Sequence, residues 1–280
     1  MPGTITAGQS IDESGPAGAT NVVLAFETST GRSQVKLRLD ADSPGQRRLV
    51  TSFEAGEFYE PEVAYFLTAM LEPGDHFVDI GAHLGYFSLI ASRAVGSTGM
   101  VVAFEPEPKK FARILGHVAD NAMANVKVFN HALGARTGEG TFYLNAAGEI
   151  GLPAKDASQF GRRAMAVSVN TLDGSLEGID SEAPLRIVRM NAAGCEHDVI
   201  RGAMWTLAAR QVPYIICRSD RSAQEGSASS ESAIRALMTL MGYHGYLMKP
   251  DASGLAELPA ESESHEPQVT NVLFSREEFL

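Results

Sequence analysis

The chain has 280 residues, enough for one large domain or two small ones. Lys and Arg number 23 against 34 Asp and Glu, a net charge of −11, which argues against a nucleic-acid partner and against docking on an anionic membrane surface. Hydrophobic residues make up 44%, material for a sizeable core, and the two cysteines, Cys195 and Cys217, exclude a disulfide scaffold and a four-thiolate zinc site.

Residues 1–20 are rich in Gly, Ser, Thr, Ala and Pro, so a mobile, disordered tail is expected there. The first ten residues hold no basic cluster and no apolar stretch, and no run in the chain approaches about 18 apolar residues. The expectation is a soluble cytoplasmic protein. Residues 21–27 (NVVLAFE) and 34–39 (QVKLRL) predict a small β-hairpin, an N-terminal extension ending near residue 55. From residue 60 to 71, Val63, Phe66, Leu67 and Met70 recur at helical spacing, and Pro73-Gly74 stops the helix.

Residues 76–80 (HFVDI) predict a strand, 81–85 (GAHLG) a tight turn and 84–94 a helix. Residues 100–104 (MVVAF) are nearly all apolar, as a parallel strand covered on both faces should be. Phe111, Ile114, Leu115, Val118 and Ala122 form the apolar stripe of the next helix, and 126–129 a third strand. Strand, helix, strand, helix, strand is the pattern of a right-handed parallel βαβ fold. Further on, 141–144 reads as an added strand and 145–165 as a long loop without periodicity. Residues 185–190 (LRIVRM) predict a fourth core strand, with a helix near 196–209, and 214–217 (YIIC) a fifth. Ile234, Leu237, Met238 and Met241 mark a helix, and 243–248 and 271–274 would close the sheet. Residues 56–280 therefore read as a single α/β domain.

Chemistry concentrates at 79–85 (DIGAHLG), where Gly81 and Gly85 flank the turn between the first core strand and its helix. In open α/β sheets ligands bind at such carboxyl ends. Twenty residues after Gly85 the next strand ends at Glu105, where nucleotide-binding sheets place an acid for ribose hydroxyls. His83 stands where a dinucleotide-binding turn has its middle glycine, which favours a nucleoside without a pyrophosphate over a nicotinamide dinucleotide. The seven histidines show no paired spacing, so no metal site is expected.

VDIGAHLGYFSL (78–89), AFEPEP (103–108), NHALG (130–134), TLD (171–173) and GCEHDVIRGA (194–203) together resemble the FkbM family of S-adenosylmethionine-dependent methyltransferases. The resemblance covers residues of about 55–217. It implies the Rossmann-like class I methyltransferase fold: a mostly parallel seven-stranded sheet, its last strand antiparallel, with helices on both faces. It implies S-adenosyl-L-methionine as cofactor and, as acceptor, a hydroxyl of a small metabolite, natural product or sugar. By the same resemblance Tyr59, Glu60, Asp79, Gly81, Ala82, His83, Gly85, Glu105, Pro106, His131 and Ala132 would contact the cofactor, with Phe58 and Asn130 beside them.

The family pattern Lys-x-Asp-x-Glu-Gly reads RMNAAG at 189–194, with Asn191 and Ala193 in place of the two acids. The candidates for acceptor-side chemistry are Asn191, Glu196 and His83, with His197 and Asp173 as further bases and Arg218 as a receptor for an anionic acceptor. The altered acceptor half leaves a second reading open, a methyltransferase fold that binds without turnover.

Overall fold

The computed structural model describes residues 9–12, 19–144, 150–151, 163–179, 182–192, 194–220, 231–258 and 269–279. Three strands open the chain: β1 (Gln9–Asp12), β2 (Ala19–Thr28) and β3 (Gly31–Asp40) form an antiparallel sheet in that order. The predicted hairpin is β2–β3, longer than its apolar runs. Within the stretch expected to be a disordered tail, β1 pairs with β2 from Gln9↔Leu24 to Asp12↔Asn21. Two helices follow, α1 (Arg47–Glu54) and α2 (Pro61–Met70). The sequence reading missed α1, although Leu49, Val50 and Phe53 bury one side of it.

The alternating part then runs β4 (His76–Ile80), α3 (Tyr86–Val95), β5 (Met100–Phe104), α4 (Pro108–Asp120) and β6 (Val126–Phe129). Next come β7 (Ala132–Leu133), β8 (Gly138–Leu144), β9 (Ile150–Gly151) and β10 (Arg163–Asn170). These four make a separate small sheet in the order β7-β10-β8-β9. The long loop expected over 145–165 therefore gives way to strand at both described ends, and residues 145–149 and 152–162 lie outside the described residues.

A short helix α5 (Leu172–Ser175) leads to β11 (Leu185–Met190). The helix expected near 196–209 is two, α6 (Glu196–Arg201) and α7 (Met204–Ala209), split at Gly202, where a Cβ would lie 2.0 Å from the Gly134 carbonyl oxygen. The chain ends with β12 (Tyr214–Asp220), α8 (Glu231–Leu240), β13 (His244–Met248), β14 (Leu255–Glu257) and β15 (Val269–Ser275).

The main sheet runs β14-β13-β15-β12-β11-β4-β5-β6. Strands β6, β5, β4, β11 and β12 are parallel, and β15 lies antiparallel between β12 and β13. That is the expected seven-stranded plan with β14 added at one edge. Strand order reverses between β4 and β11, so their carboxyl ends open the crevice where such sheets take ligands.

Alternate strand residues feed two cores. Phe77, Val101, Ile187 and Ile216 face one, and Val78, Val102, Val188 and Ile215 the other. Val22, Leu24, Phe26, Val35, Leu37 and Leu39 of the hairpin join Leu89 and Ile90 of α3 in the first core. The hairpin is thus a wall of the fold.

Its outer edge is closed by side chains of α4 and of its C-cap residue Asn121. The Asn121 Oδ1 accepts from the Lys36 amide at 2.7 Å, and its Nδ2 donates to the Lys36 carbonyl at 2.8 Å, copying a strand partner. The fully buried His117 accepts from the Arg38 amide through Nε2 at 3.0 Å, which leaves Nδ1 to donate to the Leu84 carbonyl at 2.9 Å. Burial lowers the pKa of this imidazole, as its neutral tautomer requires. Asn121→Ala removes both bonds to β3 and is expected to cost about 1–3 kcal/mol, read as a drop in the urea midpoint. Because the folded pKa of His117 lies below its unfolded value of 6.5, its contribution holds above that value. It is lost as pH falls through the lower folded pKa.

Candidate active site

The β4–α3 turn is stitched to both neighbouring strands. The Gly81 and Ala82 amides donate to the Phe104 carbonyl at 2.9 and 3.0 Å, and the Asn191 amide donates to the Ile80 carbonyl at 2.9 Å. Gly81 has φ +73°, and a Cβ there would sit 2.1 Å from the Asn191 carbonyl oxygen. The glycine is thus demanded by the end of β11. Gly85, at φ +81°, faces Ile114 of α4, and Ala82 packs against Ala103 and Ile114. Both residues back the turn and are not among those lining the cavity in front of it.

That cavity measures about 120 Å³ and is lined by Gly81, His83, Glu105, Pro106, His131 and Asn191, among others. Ala132 lines it too. Glu105 directly follows β5 and is 4% exposed. Its Oε2 accepts from the His83 amide at 2.8 Å and its Oε1 from the Glu107 amide at 2.9 Å. His83 holds φ +57°, so the turn bends to aim that amide. Burial raises the Glu105 carboxyl to about 7, outweighing the two amide bonds that favour its charge. Two rings share the lining: Phe104 and His131 lie 5.3 Å apart, and Phe129 stacks on Phe104 at 5.4 Å. Burial lowers the pKa of His131, and its Nε2 meets the Ser175 hydroxyl at 3.1 Å. Asn130 braces the wall from outside, donating to the Glu105 carbonyl at 2.9 Å.

Other sequence candidates lie elsewhere. Asp79 is fully buried; its Oδ1 accepts from Arg189 at 2.8 Å and its Oδ2 from the Ser88 hydroxyl at 2.6 Å. It is spent inside the sheet and does not line the cavity. Tyr59 and Glu60 line a second cleft, where Arg218 hydrogen-bonds the Tyr59 hydroxyl at 2.9 Å and pairs with the Glu60 carboxylate. Arg218 thus has a carboxylate of its own chain as partner, where the sequence offered it to an anionic acceptor. Phe58 is buried in the core. Glu196 turns its carboxylate back onto the Ala192 and Gly194 amides at 3.0 and 3.2 Å, shaping the loop after β11 without reaching the cavity. Asp173 caps α7 through the Thr206 and Trp205 amides at 2.8 and 3.2 Å, and His197 lies beside Asp198 at 4.0 Å. Neither lines the cavity. Cys195 does line it, but burial pushes its thiol up to about 12. Ala193 lies outside the described residues. Among the described residues no group of three or more His, Cys, Asp or Glu is placed to hold a metal, and no helix is long and apolar enough to cross a membrane. The sequence reading missed Arg189, the partner of Asp79, because 110 residues separate the two.

A stretch of 63 residues is 38% identical to the 23S rRNA (uracil(1939)-C(5))-methyltransferase RlmD of Acinetobacter baylyi, covering 22% of this chain and 14% of that protein. Among solved structures, a methyltransferase FkbM from Methylobacillus flagellatus is similar at 13% identity and a TM-score of 0.44, over 84% of this chain and 61% of the other. Fibrillarin of Aeropyrum pernix, solved with S-adenosyl-L-methionine bound, is similar at 15% identity and a TM-score of 0.42, over 97% of this chain and 99% of the other. The chain therefore spans a small part of the RlmD protein and less than two thirds of the Methylobacillus one. The methyltransferase FkbM domain matches residues 79–247, a span that takes in the turn at Gly81, Glu105, His131 and Asn191. With more than half of its length inside that match, the chain belongs to the FkbM methyltransferase family.

Proposed function

We propose that the chain transfers the methyl group of S-adenosylmethionine to a hydroxyl of a small metabolite, natural product or sugar. The observation that carries this reading is Glu105, a buried carboxylate on the wall of the cavity at the sheet's switch point. Each of its oxygens accepts one backbone amide and keeps a lone pair, so it can also accept the two hydroxyls of a ribose. The Phe104 and His131 rings on the cavity wall offer a surface for a purine. The residues present thus fit the nucleoside. Bound S-adenosylmethionine supplies a methyl group on a positively charged sulfur, ready for in-line displacement. The chain's task is then chiefly to position the groups. The Asn191 side chain can orient an acceptor hydroxyl by hydrogen bonds, and His83, which also lines the cavity, can take its proton. Glu196 acts behind them by fixing the loop that carries Asn191. The net charge of −11 favours a small acceptor over RNA, and two free thiols suit a reducing cytoplasm.

Isothermal titration tests the reading. Saturable binding of S-adenosylmethionine is expected, and Glu105→Gln should weaken it roughly 10–100-fold, the worth of a hydrogen bond to a charged group. Since the carboxyl titrates at about 7 and its ionised form is the better acceptor, affinity should be full at higher pH and fall as pH drops through that value. Glu105→Gln should flatten that dependence. A wild-type protein without affinity for the cofactor or its demethylated product ends the proposal. A second reading, binding without turnover, draws on Asn191 at the family's acid position and on the engagement of Arg218 by Glu60. One hydroxylated acceptor methylated by the wild type, with activity lost in Asn191→Ala, would exclude it.

A further inference from the structure

His131 lines the nucleoside cavity, and the residue that holds its ring comes from the far end of the small sheet. β7 follows His131 directly and runs parallel to the end of β10, Ala132 beside Val169 and Leu133 beside Asn170. The Gly134 amide extends this ladder to the Asn170 carbonyl at 2.9 Å. Thr171 then caps α5, its hydroxyl oxygen accepting from the Gly174 amide at 3.0 Å. Leu172 of α5 and Leu176 after it are buried in the core that also takes Leu133. Pairing and packing together bring Ser175 to the imidazole, its Oγ 3.1 Å from Nε2 of His131 although 44 residues separate the two. Ser175 is not among the residues lining the cavity, so it acts there through the ring.

We propose that Ser175 is a positioning residue for cofactor recognition: its hydroxyl holds Nε2 of His131, so that the Nδ1–H of the ring faces the cavity and donates to a ring nitrogen of the adenine. The inference rests on the cofactor reading of this cavity and goes further, giving the base a hydrogen-bond donor and naming the residue that sets it. Burial lowers the pKa of His131, so near neutral pH the ring is uncharged and carries one hydrogen on its two nitrogens. Which nitrogen keeps that hydrogen is decided by the bond the other makes. Among the described residues Nε2 meets the Ser175 hydroxyl and Nδ1 has no hydrogen-bond partner. The hydroxyl has no second partner among them either, so its proton goes to Nε2. Nε2 then accepts, and the hydrogen stays on Nδ1. A ring on the cavity wall thereby offers a donor, and the adenine nitrogens N1, N3 and N7 are acceptors.

The neighbouring phenylalanines fix the plane of the imidazole but not which way round it lies. Its centroid is 5.3 Å from that of Phe104 and 5.6 Å from that of Phe129, at 51° and 44° to them. Turning the ring over about its Cβ–Cγ bond leaves this packing nearly unchanged, because apolar contact is not directional. The turn exchanges Nδ1 with a carbon and puts Cε1 where Nε2 stood. The hydroxyl does distinguish the two, since Nε2 can accept its proton and Cε1 cannot. Ser175 thus sets both the orientation of the ring and its tautomer.

Nitrogen NMR of the full chain, joined to titration with cofactor analogues, tests the inference. In the free protein the His131 Nε2 signal is expected to be that of an unprotonated nitrogen and the Nδ1 signal that of an N–H. Isothermal titration then compares S-adenosylhomocysteine with its 1-deaza, 3-deaza and 7-deaza analogues, in each of which one adenine nitrogen is a CH. One of the three should bind the wild type about tenfold more weakly than S-adenosylhomocysteine, the loss of a single hydrogen bond. Ser175→Ala should weaken S-adenosylhomocysteine by a similar factor and shrink that gap to within about threefold. Ser175→Thr, which keeps the hydroxyl, should behave as wild type. A merely structural role for Ser175 would lower affinity for every ligand alike and leave the gap as it was. The spectra and the analogue series need no variant, so they decide the matter even where Ser175→Ala does not fold. The inference is overturned by a protonated Nε2, by equal binding of all four ligands to the wild type, or by a gap that survives Ser175→Ala. Each of these with S-adenosylhomocysteine still bound condemns the role of Ser175 alone. A wild type without affinity for S-adenosylhomocysteine condemns the cofactor reading and the inference with it.

Discussion

Asp79→Ala is expected to destabilise the protein by about 3–5 kcal/mol, measured by urea unfolding, because it strands a guanidinium inside the sheet. Asp79 on β4 and Arg189 on β11 are register partners, joined at 2.8 Å, with side-chain exposures of 0% and 5%. The Arg189 guanidinium lies 4.3 Å from the Phe87 ring centroid, a stack that an arginine's flat fork can make and a lysine cannot. The fork's other nitrogen makes a looser ion pair with Glu60 at 4.0 Å, a carboxylate already shared with Arg218 and so only a partial substitute. Removing the Ser88 hydroxyl bond alone should cost far less, because Asp79 then keeps its counter-ion. Replacing both members of the pair, as in Asp79→Leu with Arg189→Met, should recover much of the loss, since desolvation of two ions offsets most of their attraction. The double variant also separates two roles for Asp79. If it acts only inside the sheet, the refolded double variant binds S-adenosylmethionine as wild type does; a carboxylate that touched the cofactor would leave a deficit that refolding does not repair.

The parallel half of the fold was legible because its strands are buried on both faces and so read as short apolar runs, HFVDI, MVVAF and LRIVRM. The small sheet was not. β10 alternates Met165, Val167 and Val169 with exposed Ala164, Ala166 and Ser168, a half-covered pattern cut short by ending the loop at 165. Helix α1 was missed because three apolar residues in an eight-residue segment make a weak period. At the site, Glu105 and the turn could be placed because both sit at strand ends, where local sequence fixes position. The partners of Arg218, Asp79 and Asn271 could not. Glu60 is 158 residues from Arg218 and Glu62 is 209 from Asn271, so only the folded sheet brings each pair together.

Gly81→Ala should damage function more than any other single change in the turn. At φ +73° an alanine pays the left-handed penalty of about 1–2 kcal/mol. Its Cβ would also sit 2.1 Å from the Asn191 carbonyl oxygen and 3.0 Å from the carbonyl carbon. That neighbour is backbone, pinned by the Asn191 amide on the Ile80 carbonyl, and cannot rotate aside. Relief requires the ends of β4 and β11 to part by an ångström or more, moving Asn191 relative to Glu105. Misplacement on that scale costs on the order of 10²-fold in rate, and methyl transfer should fall by at least that much. Gly85→Ala is the control. It meets the same backbone penalty at φ +81°, but its Cβ would stand 3.1 Å from Cγ2 of Ile114, a flexible side chain that can yield. It should lower stability by a similar 1–2 kcal/mol while keeping cofactor affinity within a few-fold of wild type. Equal loss of affinity in the two variants, or none in Gly81→Ala, would show that contact between the turn and β11 does not set the geometry of the site.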